Sequence, residues 1–594
     1  AAVNVLLGLS KDRAKDCLLP IVQYCSEALN RAQGSANAQA LRQKDGALLA
    51  LGALHERLYK KAMYKASLEP MLRLHVLPDF TAAAGFIRVR ACVVYGQYAQ
   101  SLFARGSAKL DEQISDVLLH CLRLMQDADL PVRVHAALCI NNIVESDCCD
   151  DAVVLSVLPQ LVERLFMLMH DIGNDEVVQT LDNLIEKFGD HMAPYAVKVV
   201  EALAQNFLRL LEEQEDEDDS ALAAMGVMQA MTTMMQAVSG TPDVFPQMEP
   251  ALLPLISRCL EKDAVDYMED VLEVLSYLTY YGPRISPELW MLFPRLHEAF
   301  HVFADEYINN LLTPLDNYIS RDTETFLTGE YLAMTLSICR SVLTADQMQP
   351  TLMHGAATLL ESLLHNCRGR IDNILPDIFS LTMTRLKTVE AAAASSASPL
   401  AMLLYNVIAS AIYYNPILAL QILDHRQEQA ETLTKWMTHL NTNQKLRTTD
   451  LKVNSLAVST LLALPSATAP MIVSSNKVLL VRASLLLLKR LVETKKKAET
   501  RGSGGHDDDD DDDDDDEDED DEDDEGDGDV QDSRLLQDDH MSRLLQPPSA
   551  DFFDDDDDFF DDLEEEELYS TPLDDIDEYA SFAEALQRAC EDQP

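Results

Sequence analysis

The chain has 594 residues, 47% of them hydrophobic and 25% charged, which is too long for a single hydrophobic core. It carries 101 Asp and Glu residues against 47 Lys and Arg, and the formal net charge of -54 excludes nucleic-acid binding through its overall electrostatic field. Basic proteins are the expected partners instead.

The N-terminus, the cysteines and the most apolar stretch bear on cellular location. Residues 1–7 lack an initiator Met and the basic stretch of a signal peptide, which predicts that the chain begins inside a larger protein. The 11 cysteines are odd in number and form no Cys-x-x-Cys pair, which indicates a reducing compartment, cytosol or nucleus. Residues 400–423 are interrupted by Asn, Pro and Gln, so we predict a buried helix there and no membrane insertion.

A helical pattern of apolar residues runs from Arg13 to Glu499. Side chains such as Ala196, Val199 and Leu203 recur at helical spacing. Helices of roughly 15 to 20 residues alternate with short turns, so helix pairs repeat about every 40 residues, the period of HEAT and armadillo repeats. We therefore predict an all-α fold, a HEAT/armadillo-type α-solenoid superhelix of about ten or eleven helix pairs.

Two segments have the pattern of the second helix of a HEAT repeat. Asp129–Leu138 combines an acidic turn, a Pro at a helix start and the spacing Val-Arg-x-x-Ala, and Gly85–Cys92 offers a second copy. The small Ala residues let the helices approach closely. We predict that Arg88 and Arg133 face acidic residues of the turns.

Acidic residues are concentrated at the C-terminal end. Residues 506–594 contain 43 acidic and 3 basic side chains, and every residue from Asp507 to Glu525 is Asp or Glu. Like charges at this density cannot pack, so we predict that the segment is disordered. The predicted domains are a HEAT-repeat solenoid in residues 1–500, a disordered acidic low-complexity insertion in 501–568, and a C-terminal helix that returns to the solenoid in 569–594.

Apolar residues are set into the acidic segment. The sequence Ser-Arg-Leu-Leu-Gln occurs at 533–537 and again at 542–546, and two Phe pairs flank Asp554–Asp558. Carboxylates can capture a basic protein while apolar side chains bury area against it, although a drifted low-complexity expansion explains the pattern equally well. The candidate cargo-binding residues are Asp507, Asp510, Asp516, Glu525, Phe552, Phe553, Phe559 and Phe560.

A basic cluster lies directly before the acidic run. We predict that it neutralises part of the acidic tail in cis, and the alternative is a nuclear-localisation or nucleic-acid patch. Its members are Lys489, Arg490, Lys495, Lys496, Lys497 and Arg501.

The sequence lacks the common motifs for catalysis, cofactors and metals. The chain has no phosphate-binding loop, no dinucleotide fingerprint, no nucleophile elbow and no zinc-protease motif, so we predict no enzyme and no cofactor. His365 and Cys367 lack a second ligand pair, which favours a structural role over a metal site. Trp290 and Trp436 lie in apolar helical patterns and are predicted to pack in the core.

Short segments in consistent order over nearly the whole chain share features with one known family. They include Lys44–Ala47, Lys60–Lys65, Arg88–Cys92, Leu315–Tyr318, Cys367–Asp372, Ala411–Pro416 and Tyr569–Asp575. In this combination the chain resembles the importin-β (karyopherin-β) superfamily, closest to the subgroup of importin seven and importin eight. The long Asp run, the Ser-Arg-Leu-Leu-Gln repeats and the Phe pairs depart from that pattern.

The resemblance implies a nuclear import receptor found in cytoplasm and nucleus, including the nuclear pore. Such a receptor binds basic cargo such as ribosomal proteins and histones, contacts Phe-Gly nucleoporins and releases cargo when Ran-GTP binds. In that family the main Ran-binding surface lies in N-terminal repeats, which would precede Ala1, so no residue here is assigned to Ran. We expect a monomer without direct nucleic-acid binding.

Two other functions remain open at this stage. One is a chaperone for histones or ribosomal proteins, in which the acidic tail shields positive charge without transport. The other is a static HEAT scaffold, in which the tail only increases solubility. Phe-Gly binding would separate the receptor from both, and tail-dependent binding of basic proteins would separate the chaperone from the scaffold.

Overall fold

The structure is a computed structural model built from helices. It describes residues 2–35, 37–102, 108–146, 151–171, 175–213, 218–345, 349–392, 398–443, 446–503 and 571–592. No strand occurs in these ranges. The chain divides into two compact units, residues 1–359 and 360–594, which are taken in turn.

The first unit consists of α-helices joined by short turns. Their bounds are α1 Ala2–Asp12, α2 Ala14–Ala32, α3 Ala38–Ala53, α4 His55–Lys60, α5 Ala62–Met71, α6 Gly85–Leu102, α7 Ala108–Leu124, α8 Leu130–Glu145, α9 Asp151–Asp171, α10 Asp175–Phe188, α11 Ala196–Glu213, α12 Asp218–Ala237, α13 Phe245–Cys259, α14 Met268–Tyr281, α15 Pro287–Trp290, α16 Phe293–Val302, α17 Ile308–Arg321, α18 Thr323–Thr328 and α19 Tyr331–Thr344. A π-helical turn covers Leu72–Val76, and short 3₁₀ segments cover Leu77–Thr81, Gly189–His191, Pro242–Val244, Lys262–Tyr267 and Asp305–Tyr307. Helix α20, Pro350–Asn366, contains the boundary between the units.

The second unit continues the series of helices. Their bounds are α21 Leu375–Ala392, α22 Pro399–Tyr414, α23 Pro416–His425, α24 Gln429–Thr442, α25 Thr448–Leu462, α26 Met471–Ser474, α27 Lys477–Ser503 and α28 Glu578–Glu591. Local sequence sets several starts: proline opens α22 and α23, where its missing N–H costs nothing. The side chains of Asn415 and Asp577 cap α23 and α28 by accepting hydrogen bonds from backbone N–H groups of the first turn.

Helices of the first unit stack in two layers. In one layer α6, α8, α10, α12, α14 and α17 each pack against the next, and in the other α9, α11 and α13 do the same. The interior between the layers is apolar, with Val199, Leu203 and Phe207 of α11 fully buried. Each pair buries its apolar faces against its neighbours, so the structure confirms the predicted α-solenoid.

Side-chain bonds between neighbouring pairs recur about 40 residues apart. The guanidinium of Arg88 donates to Asp127 at 2.8 Å, 39 residues away, and Arg133 pairs with Asp171 over 38 residues. Further along, the Asn317 amide donates to a carbonyl 41 residues earlier. Both arginines therefore meet acidic residues as predicted, and the spacing is the period of the repeat.

Both tryptophans lie in the core, which confirms their prediction. Trp290 is 6% exposed and its indole N–H lies 3.3 Å from a carboxylate oxygen of Asp322. Trp436 is fully buried, and its N–H donates to the side-chain oxygen of Asn454 at 2.7 Å. Each indole thus satisfies its single donor inside the protein.

A buried polar network links three helices of the second unit around Asp450. Its carboxylate, 1% exposed, accepts hydrogen bonds from the Asn406 amide at 2.7 Å and from the guanidinium and backbone N–H of Arg447. The Asn454 amide in turn donates to Asn406 at 2.8 Å, and Asn454 also receives the Trp436 N–H. Helices α22, α24 and α25 are therefore joined by polar contacts as well as by apolar packing.

Two titratable groups of α20 border this network. Burial raises the pKa of Glu361 to about 8, with a further contribution from the charge of Asp450, and its Oε1 atom has no hydrogen-bond partner among the described residues. Burial lowers the pKa of His365 to about 4, and its Nε2 lies 2.9 Å from Ser410 Oγ. Both side chains are therefore neutral at pH 7. The surroundings of His365 are those of a residue that packs and hydrogen-bonds inside the protein.

One helix among the described residues is long and apolar enough to span a bilayer. It is Asp151–Met169 of α9, with a mean hydropathy of 1.7. Val154, Leu158 and Leu161 are buried there, and α9 packs against α10 and α11. Because core helices of this length meet the same test, length and composition alone are weak evidence for a membrane segment. Residues 400–423, predicted as one buried helix, form two, α22 and α23, because Asn415 caps the second helix and Pro416 opens it. Most side chains of α22 are buried, as predicted.

Candidate binding surfaces

The cargo-binding residues predicted from the sequence lie outside the described part of the chain. They are Asp507, Asp510, Asp516, Glu525, Phe552, Phe553, Phe559 and Phe560. Their role stays a prediction. What the structure does show is where the chain enters and leaves the segment that contains them, residues 504–570.

Both ends of that segment are attached to the second unit. The chain leaves α27 at Ser503 and is described again from Thr571, just before α28 packs against α25 and α27. The Glu578 carboxylate lies 2.9 Å from Lys495 Nζ and 3.7 Å from Lys452 Nζ. Burial alone would raise the pKa of Glu578, but the hydrogen bond from Lys495 and the two lysine charges lower it.

The far end of α28 is held in the same way. Asp592 accepts hydrogen bonds from the backbone N–H of Ser466 and from Lys477 Nζ at 3.1 Å. The hydrogen bonds from Ser466, followed by that from Lys477, lower the pKa of Asp592 to about 2. Just before α28, Lys452 also donates to the Asp574 carbonyl at 3.1 Å. Lysines at both ends thus fix the C-terminal helix on the unit.

The basic cluster before the acidic run is partly engaged in these contacts. Lys495 binds Glu578, and the Arg490 guanidinium donates to the carbonyls of Leu440 at 3.0 Å and Asn443 at 2.7 Å. The side chains of Lys497 and Arg501 lie outside the described residues. Lys495 and Arg490 therefore anchor α27 and α28, a role that the sequence alone did not indicate.

We expect Glu578→Gln to loosen α28. The change removes one charge shared by two lysines and leaves the nearly buried Lys452 without an anion, at a cost of about 1–3 kcal/mol. Hydrogen exchange of the α28 amides should accelerate by about tenfold or more. The control is Glu584→Gln, which breaks only an exposed pair with Arg588. Equal exchange in the two variants would contradict this role of Glu578.

A second surface carries uncompensated carboxylates on α14 and the turn before it. Glu269 and Asp270 are adjacent, and each lies three or four residues from both Asp266 and Glu273, so the four carboxylates point to one side of the chain. No cation of the described residues pairs with any of them. Burial, followed by the charges of Glu269 and Glu273, raises the pKa of Asp270 to about 6. We call these four residues the α14 acidic face.

Aromatic rings border the α14 acidic face. Tyr277, half-buried, bonds to Glu273 and stacks on Tyr281 with centroids 5.6 Å apart. Burial and the charges of Glu306 and Asp266 raise the pKa of Tyr307 on the neighbouring turn. Carboxylates beside tyrosine rings suit Lys and Arg side chains, which bind both groups. This face was not predicted, although the spacing of its acidic residues along a helix is visible in the sequence.

Metal ligands and grooves were compared across the part of the chain that the structure describes. No group of three or more His, Cys, Asp or Glu side chains in this part of the chain could hold a metal ion. One groove of about 700 Å³, open to solvent, lies beside α10 and α12 and is lined by mixed charges, among them Glu186, Lys187 and Asp190.

Comparison with known proteins defines the class. A family model described as "Importin-11-like, TPR repeats" matches residues 228–540, more than half of the chain. Relatives include the importin beta-like SAD2 homolog of Arabidopsis thaliana, 34% identical over 79% of this chain and 46% of the relative. Human Importin-8 is 29% identical over 72% of this chain and 40% of its own length. The chain belongs to the importin-β superfamily.

Solved structures agree on the fold. Lph2, described as a bidirectional nuclear transport receptor in S. cerevisiae, aligns with a TM-score of 0.62 at 14% identity, over 82% of this chain and 51% of that chain. Kap95p, in a structure that concerns its binding to RanGDP, aligns with a TM-score of 0.54 at 14% identity, over 80% and 57%. The chain spans about half the length of the curated relatives it matches.

Proposed function

We propose that this chain is part of a nuclear import receptor that binds basic protein cargo. Family membership supports the transport role. The observation that supports basic cargo is the α14 acidic face, because four carboxylates on one helix face repel each other unless a cation compensates them. Ribosomal proteins and histones have the required charge, and the acidic segment attached beside α28 adds to the attraction.

The remaining steps of transport are inferred from membership of the importin-β superfamily. The receptor contacts Phe-Gly nucleoporins in passing the pore, moves between cytoplasm and nucleus, and releases cargo when Ran-GTP binds. Cargo and Ran-GTP lower each other's affinity because each favours a different state of the receptor. We assign no Ran contact and no Phe-Gly pocket to a residue of this chain.

Binding of core histones tests the role of the two acidic surfaces. Deleting residues 507–567 should weaken binding by about tenfold or more, and raising the salt concentration above about 0.15 M should weaken it further, because screening shortens to below ~8 Å. The triple variant Glu269→Gln, Asp270→Asn, Glu273→Gln should also bind less tightly. Its matched control, Glu288→Gln, Glu298→Gln, Glu330→Gln, removes three exposed charges from other places. If the triple variant and its control bind histones equally tightly, the α14 acidic face does not bind this cargo.

A chaperone without transport is the second candidate, and the run of nineteen acidic residues from Asp507 favours it. A Phe-Gly repeat peptide and a basic ribosomal protein, used in the same binding assay, separate the two. Phe-Gly binding that survives the deletion supports the receptor. Histone binding that requires the acidic segment, in a chain that never binds Phe-Gly peptide, would replace the receptor by the chaperone.

A further inference from the structure

Helix α27 presents an apolar stripe to solvent. Val478 is 68% exposed, Leu479 55%, Leu485 53% and Leu486 39%. The two pairs are seven residues apart, almost two helical turns, so they lie on one face. The opposite face of α27 is buried against α25. Four large apolar side chains in one exposed row indicate a surface that is covered by another segment.

The stripe is basic as well as apolar. Arg482 lies between the two pairs, is exposed, and forms no hydrogen bond or ion pair with any described residue. Lys489 follows the second pair, and its side chain is 73% exposed. Its Nζ lies 3.6 Å from a carboxylate oxygen of Glu493 on the same helix, so this ion pair is a weak, solvent-exposed one. An occupant of this face therefore needs apolar pairs with acidic residues between and beside them.

The chain itself contains such a sequence. In residues 551–562, here called the FF segment, Phe552-Phe553 and Phe559-Phe560 are separated by Asp554–Asp558. Its pairs also recur after seven residues, so they lie about 10.5 Å apart, like the two pairs of α27, when the segment binds as a helix. Its five Asp residues then stand between the pairs, as Arg482 does on α27. We propose that the FF segment binds the exposed face of α27 in cis, with its Phe pairs on the two apolar pairs and its Asp run beside Arg482.

The anchored C-terminal helix brings the FF segment within reach. Lys495 of α27 binds Glu578, so the start of α28 lies beside the last part of α27. At 1.5 Å per residue, Val478 is about 26 Å from Lys495 along the helix. The residues between Phe560 and Thr571 can extend to about 36 Å. A short tether of this kind gives an effective concentration in the millimolar range, so weak contacts suffice.

The proposal concerns a contact within one chain and goes beyond the proposed transport function. A basic partner that binds the FF segment must displace it from α27, so the face competes with cargo for the same acidic residues. A second copy of the chain could occupy the face instead. Binding of the FF segment in cis does not depend on the protein concentration, whereas binding of a second copy does.

A fluorescent peptide of residues 549–563 tests the proposal on the full chain. In the unsubstituted chain the FF segment already occupies α27, whereas the variant Phe552→Ala, Phe553→Ala, Phe559→Ala, Phe560→Ala frees the face. We expect the peptide to bind this variant about tenfold more tightly or better. Adding Leu485→Ser and Leu486→Ser should abolish the gain, and adding Met167→Ser, another exposed apolar side chain, should not.

Three results would overturn the proposal. In the first, the peptide binds the unsubstituted chain and the Phe variant with equal affinity. In the second, it binds neither. In the third, its affinity for the Phe variant is unchanged by the substitutions at Leu485 and Leu486. A peptide with its four Phe replaced by Ala is the control for charge attraction alone. Sedimentation at several concentrations completes the test, since a dimer lost on Leu485→Ser and Leu486→Ser would assign the face to a second copy.

Discussion

Replacing Asp450 by alanine is expected to destabilise the second unit by about 3–5 kcal/mol, because it removes one partner of a buried charged pair. The carboxylate accepts hydrogen bonds from Arg447 and Asn406. The buried Asn406 amide loses an acceptor that water cannot replace, and Arg447, 21% exposed, loses its anion. Urea unfolding followed by circular dichroism measures the loss as a lower midpoint with the usual slope.

The matched control is Asp424→Ala, which removes an exposed carboxylate from the same unit. It should change the free energy of unfolding by less than about 0.5 kcal/mol. Asp450→Asn, which keeps an acceptor and loses the charge, should fall between the two. If Asp450→Ala unfolds at the same urea concentration as the control, the network contributes no stability.

Replacing Glu361 by glutamine is expected to change how stability depends on pH. The pKa of Glu361 is about 8 in the folded chain and near the ordinary 4.5 when unfolded. The folded state therefore holds a proton that the unfolded state has lost, and stability falls as pH rises between these values. Between about pH 6.5 and 8 the decrease is about 2 kcal/mol. Glutamine resembles the protonated carboxyl, so the variant should lose this decrease and be the more stable protein at about pH 8.

The chosen interval separates Glu361 from His365. The pKa of His365 is lowered, so its contribution to stability is present above its ordinary value of 6.5 and is lost as pH falls towards 4. The change in stability that His365 causes therefore has the opposite sign with rising pH, and it occurs below pH 6.5. Glu493→Gln, an exposed substitution, serves as the control. A Glu361→Gln chain that keeps the pH slope of the unsubstituted protein would show that Glu361 ionises normally.

Local features allowed much of the fold to be predicted. The sequence around Pro131 predicts a helix start, and α8 begins at Leu130 because proline fits the first turn and leaves no N–H unpaired. Arg88 and Arg133 meet acidic residues one repeat away, as their position in the motif indicates. Trp290 and Trp436 are buried because apolar helical faces surround them.

Contacts between distant parts of the chain could not be predicted. The carboxylate of Glu578 meets Lys452 and Lys495, which lie 126 and 83 residues earlier, and nothing in the local sequence selects those partners. Asp450 likewise finds Asn406 through the stacking of two repeats. The α14 acidic face is different, since its spacing is local and the signal was available in the sequence.

The network around Asp450 has a consequence for how the second unit unfolds. Stacked repeats held by apolar packing alone can open one pair at a time, because each contacts only its neighbours. Here a charged group on α25 depends on Asn406 of α22, and Asn454 of α25 holds Trp436 of α24. Opening one of these helices exposes buried polar groups on the others. The middle of the unit should therefore open as a single cooperative block, with end repeats fraying around it.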